Sequence, residues 1–152
     1  MNPNATNEYL KARVLTATPE QLQLMLFDGA MKFAERARLA LETKRFDDSY
    51  LNLSKAERIL LELNCSLKPE HAPELCKNLS SLYMFCYRKL VEANTTQSLP
   101  PLDEAIQILK FQRETWMMLM QQLGKAKAGA AAQKLSMPEP DARMEASLRI
   151  SA

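Results

Sequence analysis

Few residues in this chain are equipped for chemistry. The candidate metal ligands or nucleophiles are three cysteines, Cys65, Cys76 and Cys86, and a single histidine, His71. Zinc or redox work calls for paired thiols at Cys-x-x-Cys spacing, or for Cys and His in sets of four. None of the three cysteines stands in such a pair, so they read as reduced cysteines on helices. His71 lies in a connection flanked by Pro69 and Pro73, where a structural or solvent-exposed role is expected. Asp28 and Asp103 are lone carboxylates. Arg113, three residues before Trp116, is placed for an ion pair with a carboxylate such as Asp28, or for stacking on an aromatic ring. The sequence holds no Gly-rich phosphate loop, no HExxH and no Glu-x-x-His pair. No catalytic, cofactor-binding or metal-binding set is therefore expected, and the chain reads as not an enzyme.

Charge and composition narrow the classes further. A net charge of +2 with no Lys/Arg stripe argues against nucleic acid as a partner. No apolar run approaches the roughly 18–20 residues that cross a bilayer, so no membrane insertion is expected. The start, MNPNATNEYL, lacks the charged and apolar blocks of a secretory signal, which implies a cytoplasmic protein. Three glycines and 7% aromatics disfavour an all-β fold.

What remains to do the work is helical surface. Thr18, Pro19 and Gln21 form a helix start, with Thr18 and Gln21 at capping-box spacing. The first long helix is expected from about 19 to 44. A second begins at Phe46-Asp47-Asp48-Ser49, with acids where the helix dipole favours them, and ends at Ser66-Leu67-Lys68-Pro69. Its core row is Leu53, Ala56, Leu60, Leu63 and Leu67. A third runs from about 73 to 94, with Leu75, Leu79, Leu82, Tyr83, Cys86, Leu90 and Ala93 inward. Leu99-Pro100-Pro101 breaks the chain. A fourth runs from about 102 to 124, with Leu102, Ala105, Ile106, Leu109, Trp116, Met120 and Leu123 inward, and alanine-rich 125–132 is suited to extend it. The fold class is all-α: an antiparallel four-helix bundle over 16–132. A flexible segment, 1–15, precedes it, with residues 1–8 disordered and Tyr9 to Leu15 a short helical piece. A disordered tail, 133–152, follows.

These helices carry more apolar surface than one core needs. At about 100° per residue, Leu22, Met25, Leu26, Gly29, Ala30, Phe33 and Ala37 share one face of the first helix, while Leu24, Phe27 and Met31 fall opposite. Met84, Tyr87 and Val91 repeat the pattern on the third helix; Ile108, Phe111 and Met118 repeat it on the fourth. Single exposed apolar residues need no explanation, but ordered second stripes mark an interaction surface. A groove for partner helices is one account, and a wide core with self-association is the other. Helical geometry selects Leu24, Phe27, Met31, Met84, Tyr87, Val91, Phe111 and Met118 as contacts. Tyr9, Leu10 and Val14 are the apolar residues of a flap that covers the groove when it is empty. The nine methionines suit an adaptable surface.

The sequence also resembles a known family. Tyr9, Val14, the run Thr16-Ala17-Thr18-Pro19-Glu20, Leu22, and Leu24-Met25-Leu26-Phe27-Asp28-Gly29-Ala30 resemble the signature of the flagellar secretion chaperones, the FliS family. That family usually has Ser at Thr18 and Tyr at Phe27. Leu75, Asn78 and Leu79 also fit, as do Arg88-Lys89-Leu90 with Glu92-Ala93-Asn94, Leu102-Asp103-Glu104-Ala105, and Arg113 to Trp116. The similarity spans roughly Tyr9 to Leu123. It implies a cytoplasmic chaperone that binds the disordered C-terminal segment of flagellin, blocks premature polymerisation, and keeps the subunit competent for flagellar type III secretion at the export gate. A helical adaptor or structural homo-oligomer that does not bind flagellin is the alternative, and weak homodimerisation through the same stripes accompanies either.

Overall fold

The computed structural model describes residues 3–136. Five helices follow one another: α1 (Pro3–Thr16), α2 (Pro19–Glu42), α3 (Phe46–Cys65), α4 (Pro73–Thr96) and α5 (Leu99–Ser136). The capping box predicted at the start of α2 is present. Gln21 N–H donates to Thr18 Oγ1 at 3.2 Å, and Thr18 N–H donates to Gln21 Oε1 at 3.0 Å.

Three boundaries differ from expectation. Helix begins at Pro3, where disorder was expected to Glu8, because Asn4 to Leu15 contains neither Gly nor Pro to interrupt it. Pro100 and Pro101 do not break the chain between helices. They occupy the first turn of α5, where a missing N–H leaves no hydrogen bond unmade. At the other end α5 continues to Ser136, four residues into the expected tail; the rest of that tail, 137–152, lies outside the described residues.

The α2–α3 turn is tight because α2 ends in a Schellman motif. Lys44 takes φ 57°. Its N–H donates to the Leu41 carbonyl at 3.2 Å, and the Arg45 N–H reaches back to Ala40 at 2.7 Å. α4 also ends on a left-handed residue, Gln97 (φ 50°).

Long-range pairs fix the topology. Lys55 Nζ sits 5.3 Å from the Phe33 ring centroid, running α3 antiparallel to α2. Ser80 Oγ donates to Asn64 Oδ1 at 2.7 Å and Asn94 Nδ2 to Glu57 Oε1 at 3.5 Å, so α4 returns antiparallel along α3. Lys89 pairs with Glu104 at 3.1 Å, and Arg38 Nε donates to Asp103 Oδ1 at 2.7 Å. Those two contacts set α5 between α4 and α2. The result is an up-down-up-down four-helix bundle with α2 and α4 on one diagonal, where Phe27 meets Tyr83 at 6.3 Å between ring centroids.

Its interior is Phe27, Leu41, Leu53, Leu60, Leu63, Tyr83, Leu90, Leu102 and Leu109, with alanines 30, 34, 37, 56, 93 and 105 between them. Each of the large side chains contributes about 1.5–3 kcal/mol on burial. The alanines let the helices approach closely. Gly29 serves the same end, since a Cβ there would lie 3.2 Å from Ile59 Cδ1. The chain resolves into two compact units, one through Met117 and one from Met118 onward. The first contains α1, the bundle and its core. Of the second, the described residues 118–136 form the distal part of α5.

Candidate functional site

The candidate chemical groups are dispersed through the fold. Cys86 is buried, its thiol lies 3.6 Å from the Ala105 carbonyl, and burial pushes its pKa up to about 12. Cys65 is exposed, Cys76 half-buried and His71 exposed. Asp28 accepts from Arg113 Nε, and Asp103 from Arg38, so both carboxylates tie α2 to α5. Trp116 Nε1–H donates to the Glu20 carbonyl at 3.1 Å, closing the same seam near the start of α2. Among the described residues no three His, Cys, Asp or Glu side chains are grouped to hold a metal, and no helix is long and apolar enough to cross a membrane.

The apolar residues selected from the sequence do not form one surface. Phe27 was expected outward; it is 2% exposed, against Tyr83 in the core. The inward face of α2 is Phe27, Ala30, Ala34, Ala37 and Leu41, turned from the face that periodicity suggested, and Met25, Leu26 and Phe33 are only half-buried. Leu24 is half-buried, as is Met31, which packs against the core. Met84, Tyr87 and Val91 are half-buried too, on the side of α4 that carries Ser80 and Asn94 toward α3. Their stripe is therefore the α3–α4 seam. Phe111 is free, at 67% exposure. Met118 is exposed within the second unit.

Tyr9, Leu10 and Val14 are exposed on α1, beside Leu15. Leu10, Val14 and Leu15 line an open depression with Asn7 and Lys11. As a flap, α1 was expected to hide these side chains. At helical spacing Tyr9, Leu10, Val14 and Leu15 point around most of the circumference, so no single seating buries them together.

The structure exposes a different face, along α4 and α5. Leu75 and Leu82, expected in the core, are 58% and 40% exposed, and Phe85 is 38% exposed. All three lie toward the side of α4 that meets α5, as Cys86 and Lys89 show by reaching Ala105 and Glu104. Leu82 is one turn before Cys86, and half-buried Ile108 is one turn after Glu104 on the opposing helix. Phe111 follows on α5. Lys89 Nζ lies 5.5 Å from the Phe85 ring centroid.

On α5 beside this seam, Gln112 is only 6% exposed, and neither Nε2 nor Oε1 has a hydrogen-bond partner. Both atoms are buried. No sequence pattern marks Gln112, because a polar residue between core positions of a helix reads as a boundary.

The described residues thus form an antiparallel four-helix bundle with an exposed apolar strip along α4 and α5. Comparisons with known proteins identify the family. The family model described as flagellar protein FliS matches residues 1–123. The flagellar secretion chaperone FliS of Bacillus subtilis is 33% identical over 127 residues, covering 84% of this chain and 94% of that protein. Its namesake in Salmonella typhimurium is 36% identical over 108 residues, covering 70% and 80%. A solved structure, the crystal structure of a flagellar chaperone from bacteria, shares the fold at a TM-score of 0.65 and 20% identity, covering 80% of this chain and 99% of its own. The chain belongs to the FliS family of flagellar secretion chaperones.

Proposed function

We propose that this chain binds the disordered C-terminal segment of flagellin in the cytoplasm, prevents its premature polymerisation, and keeps it competent for export through the flagellar type III gate. The role is binding, with no catalytic step. The observation that carries the reading is the exposed apolar strip of Leu75, Leu82, Phe85 and Phe111 along α4 and α5 on a well-packed bundle. A disordered amphipathic segment laid there as a helix would cover it, the helix-in-groove mode.

Magnitudes decide how much of the chain must take part. Finishing the burial of these four side chains, whose exposed parts together equal about two whole residues, gives on the order of 3–6 kcal/mol gross. Micromolar binding needs about 8 kcal/mol net, after the segment has been ordered and its rigid-body freedom lost. The groove alone falls short. A second apolar region must be covered as well, and α1, with Tyr9, Leu10, Val14 and Leu15, has the side chains for it. Leu24, Met31, Met84, Tyr87 and Val91 add only their uncovered edges, and Phe27 acts from below, as support. Met118 offers exposed apolar surface in the second unit.

Size-exclusion chromatography with monomeric flagellin tests the proposal. Intact flagellin should co-elute with this chain, and flagellin without its C-terminal segment should not. Elution apart in both cases, with this chain running as a dimer or larger, would favour the structural homo-oligomer.

A further inference from the structure

We propose that the α2–α3 face is a second docking surface, one that takes a carboxylate-rich segment of another protein. Three cations converge there on one aromatic ring. Lys32 Nζ lies 5.9 Å from the Phe33 ring centroid, the Arg36 guanidinium carbon 6.0 Å, and Lys55 Nζ 5.3 Å. Among the described residues none of the three has a carboxylate partner. The contrast with the far side of α2 is sharp, since there Arg38 is answered by Glu42 and Asp103, and Arg113 by Asp28. Lys32 and Arg36 stand one helical turn apart, an arrangement that repels and that a bound anion relieves.

The patch has shape as well as charge. Arg36 also lines a shallow notch of about 170 Å³ with Leu39, Ala40, Arg45, Asp48 and Asn52. Leu39 is exposed on α2, and the one acid of the notch, Asp48, is paired with Arg45 at 3.2 Å. A segment carrying carboxylates around an apolar side chain matches a cationic rim with Phe33 and Leu39 beneath it. Nucleic acid needs a longer track of phosphate contacts than three cations provide, and the chain's net charge is only +2. Because α2–α3 and α4–α5 are opposite sides of the bundle, this surface stays open when the α4–α5 groove is filled.

The test is an NMR titration of the isotope-labelled full chain at physiological salt. The probe is a synthetic amphipathic peptide of alternating Glu and Leu. The expected result is saturable shifts confined to Lys32, Phe33, Arg36, Leu39 and Lys55. Affinity should fall about tenfold in K32Q/R36Q/K55Q and stay unchanged in K77Q/K110Q/K125Q, which loses the same charge. Binding of flagellin by the first variant should be unaltered. Shifts spread over all surface lysines would overturn the proposal, as would equal loss in both variants. So would displacement of the peptide by inorganic phosphate, or by an oligonucleotide of matched charge.

Discussion

Phe111 is where the groove is most easily tested, because its removal separates binding from folding. The ring is 67% exposed on α5 and faces away from the core, so Phe111→Ala removes little packing and puts the best helix former in its place. The free chain should keep its melting temperature or gain slightly. If a client helix covers the ring, full burial of a Phe is worth about 1.5–3 kcal/mol, and completing the last two-thirds of it about 1–2 kcal/mol. The dissociation constant for a flagellin C-terminal peptide should then rise about five- to thirtyfold. Isothermal titration calorimetry reads that change, and differential scanning calorimetry reads the fold. Phe27→Ala is the control with the opposite signature. It removes a side chain that is 2% exposed at the α2–α4 diagonal, and should lower stability by about 3–5 kcal/mol. An unchanged affinity in Phe111→Ala would refute the assignment of the groove. Loss of fold in that variant would refute the placement of Phe111 outside the core.

Three further outcomes follow from the structure. Gln112→Met removes a buried amide with no partner, so it should raise stability by about 1–3 kcal/mol in urea denaturation; a loss would show that the amide is hydrogen-bonded. Lys44→Gly relieves a left-handed backbone at the end of α2 and should raise the melting temperature by a few degrees, corresponding to about 0.5–1 kcal/mol. Glu57 is half-buried, and desolvation holds its carboxyl pKa above the ordinary 4.5, partly offset by the Asn94 hydrogen bond. The folded state therefore holds this proton more tightly. The associated stabilisation is complete below pH 4.5 and is lost as pH rises through the raised value. Glu57→Gln should accordingly melt higher than the parent at neutral pH and lose that advantage in acid; a constant difference across pH would contradict the account.

The fold was largely legible in the sequence because its signals are local. The Thr18–Gln21 capping box, the Leu53–Ala56–Leu60–Leu63 row of α3 and the inward positions Leu102, Ala105 and Leu109 of α5 each depend on residues one or two turns apart. The groove was less legible because it depends on what stands opposite. α2 is packed through alanines, whose periodicity is weak, so its large residues suggested a face turned away from the true one and left Phe27 outside. Leu75 and Leu82 lie on the inward side of α4 by spacing, yet burial requires a neighbouring helix at the same height and close enough to touch. Met84, Tyr87 and Val91 made an ordered second stripe for an ordinary reason, since a bundle helix has two neighbours and buries part of two flanks. The convergence of three unpaired cations on Phe33 joins residues from α2 and α3, and no single-helix pattern could show it.

The central claim is that an unfolded flagellin segment supplies the cover that the α4–α5 groove and α1 lack. Amide hydrogen exchange on this chain and on the flagellin C-terminal segment, apart and mixed, tests it most directly. The account predicts that the segment, exchanging freely alone, gains helical protection in the mixture while amides of α1 and of the groove-lining turns of α4 and α5 slow down. A segment that exchanges in the mixture as fast as it does alone, with α1, α4 and α5 unchanged, would contradict it.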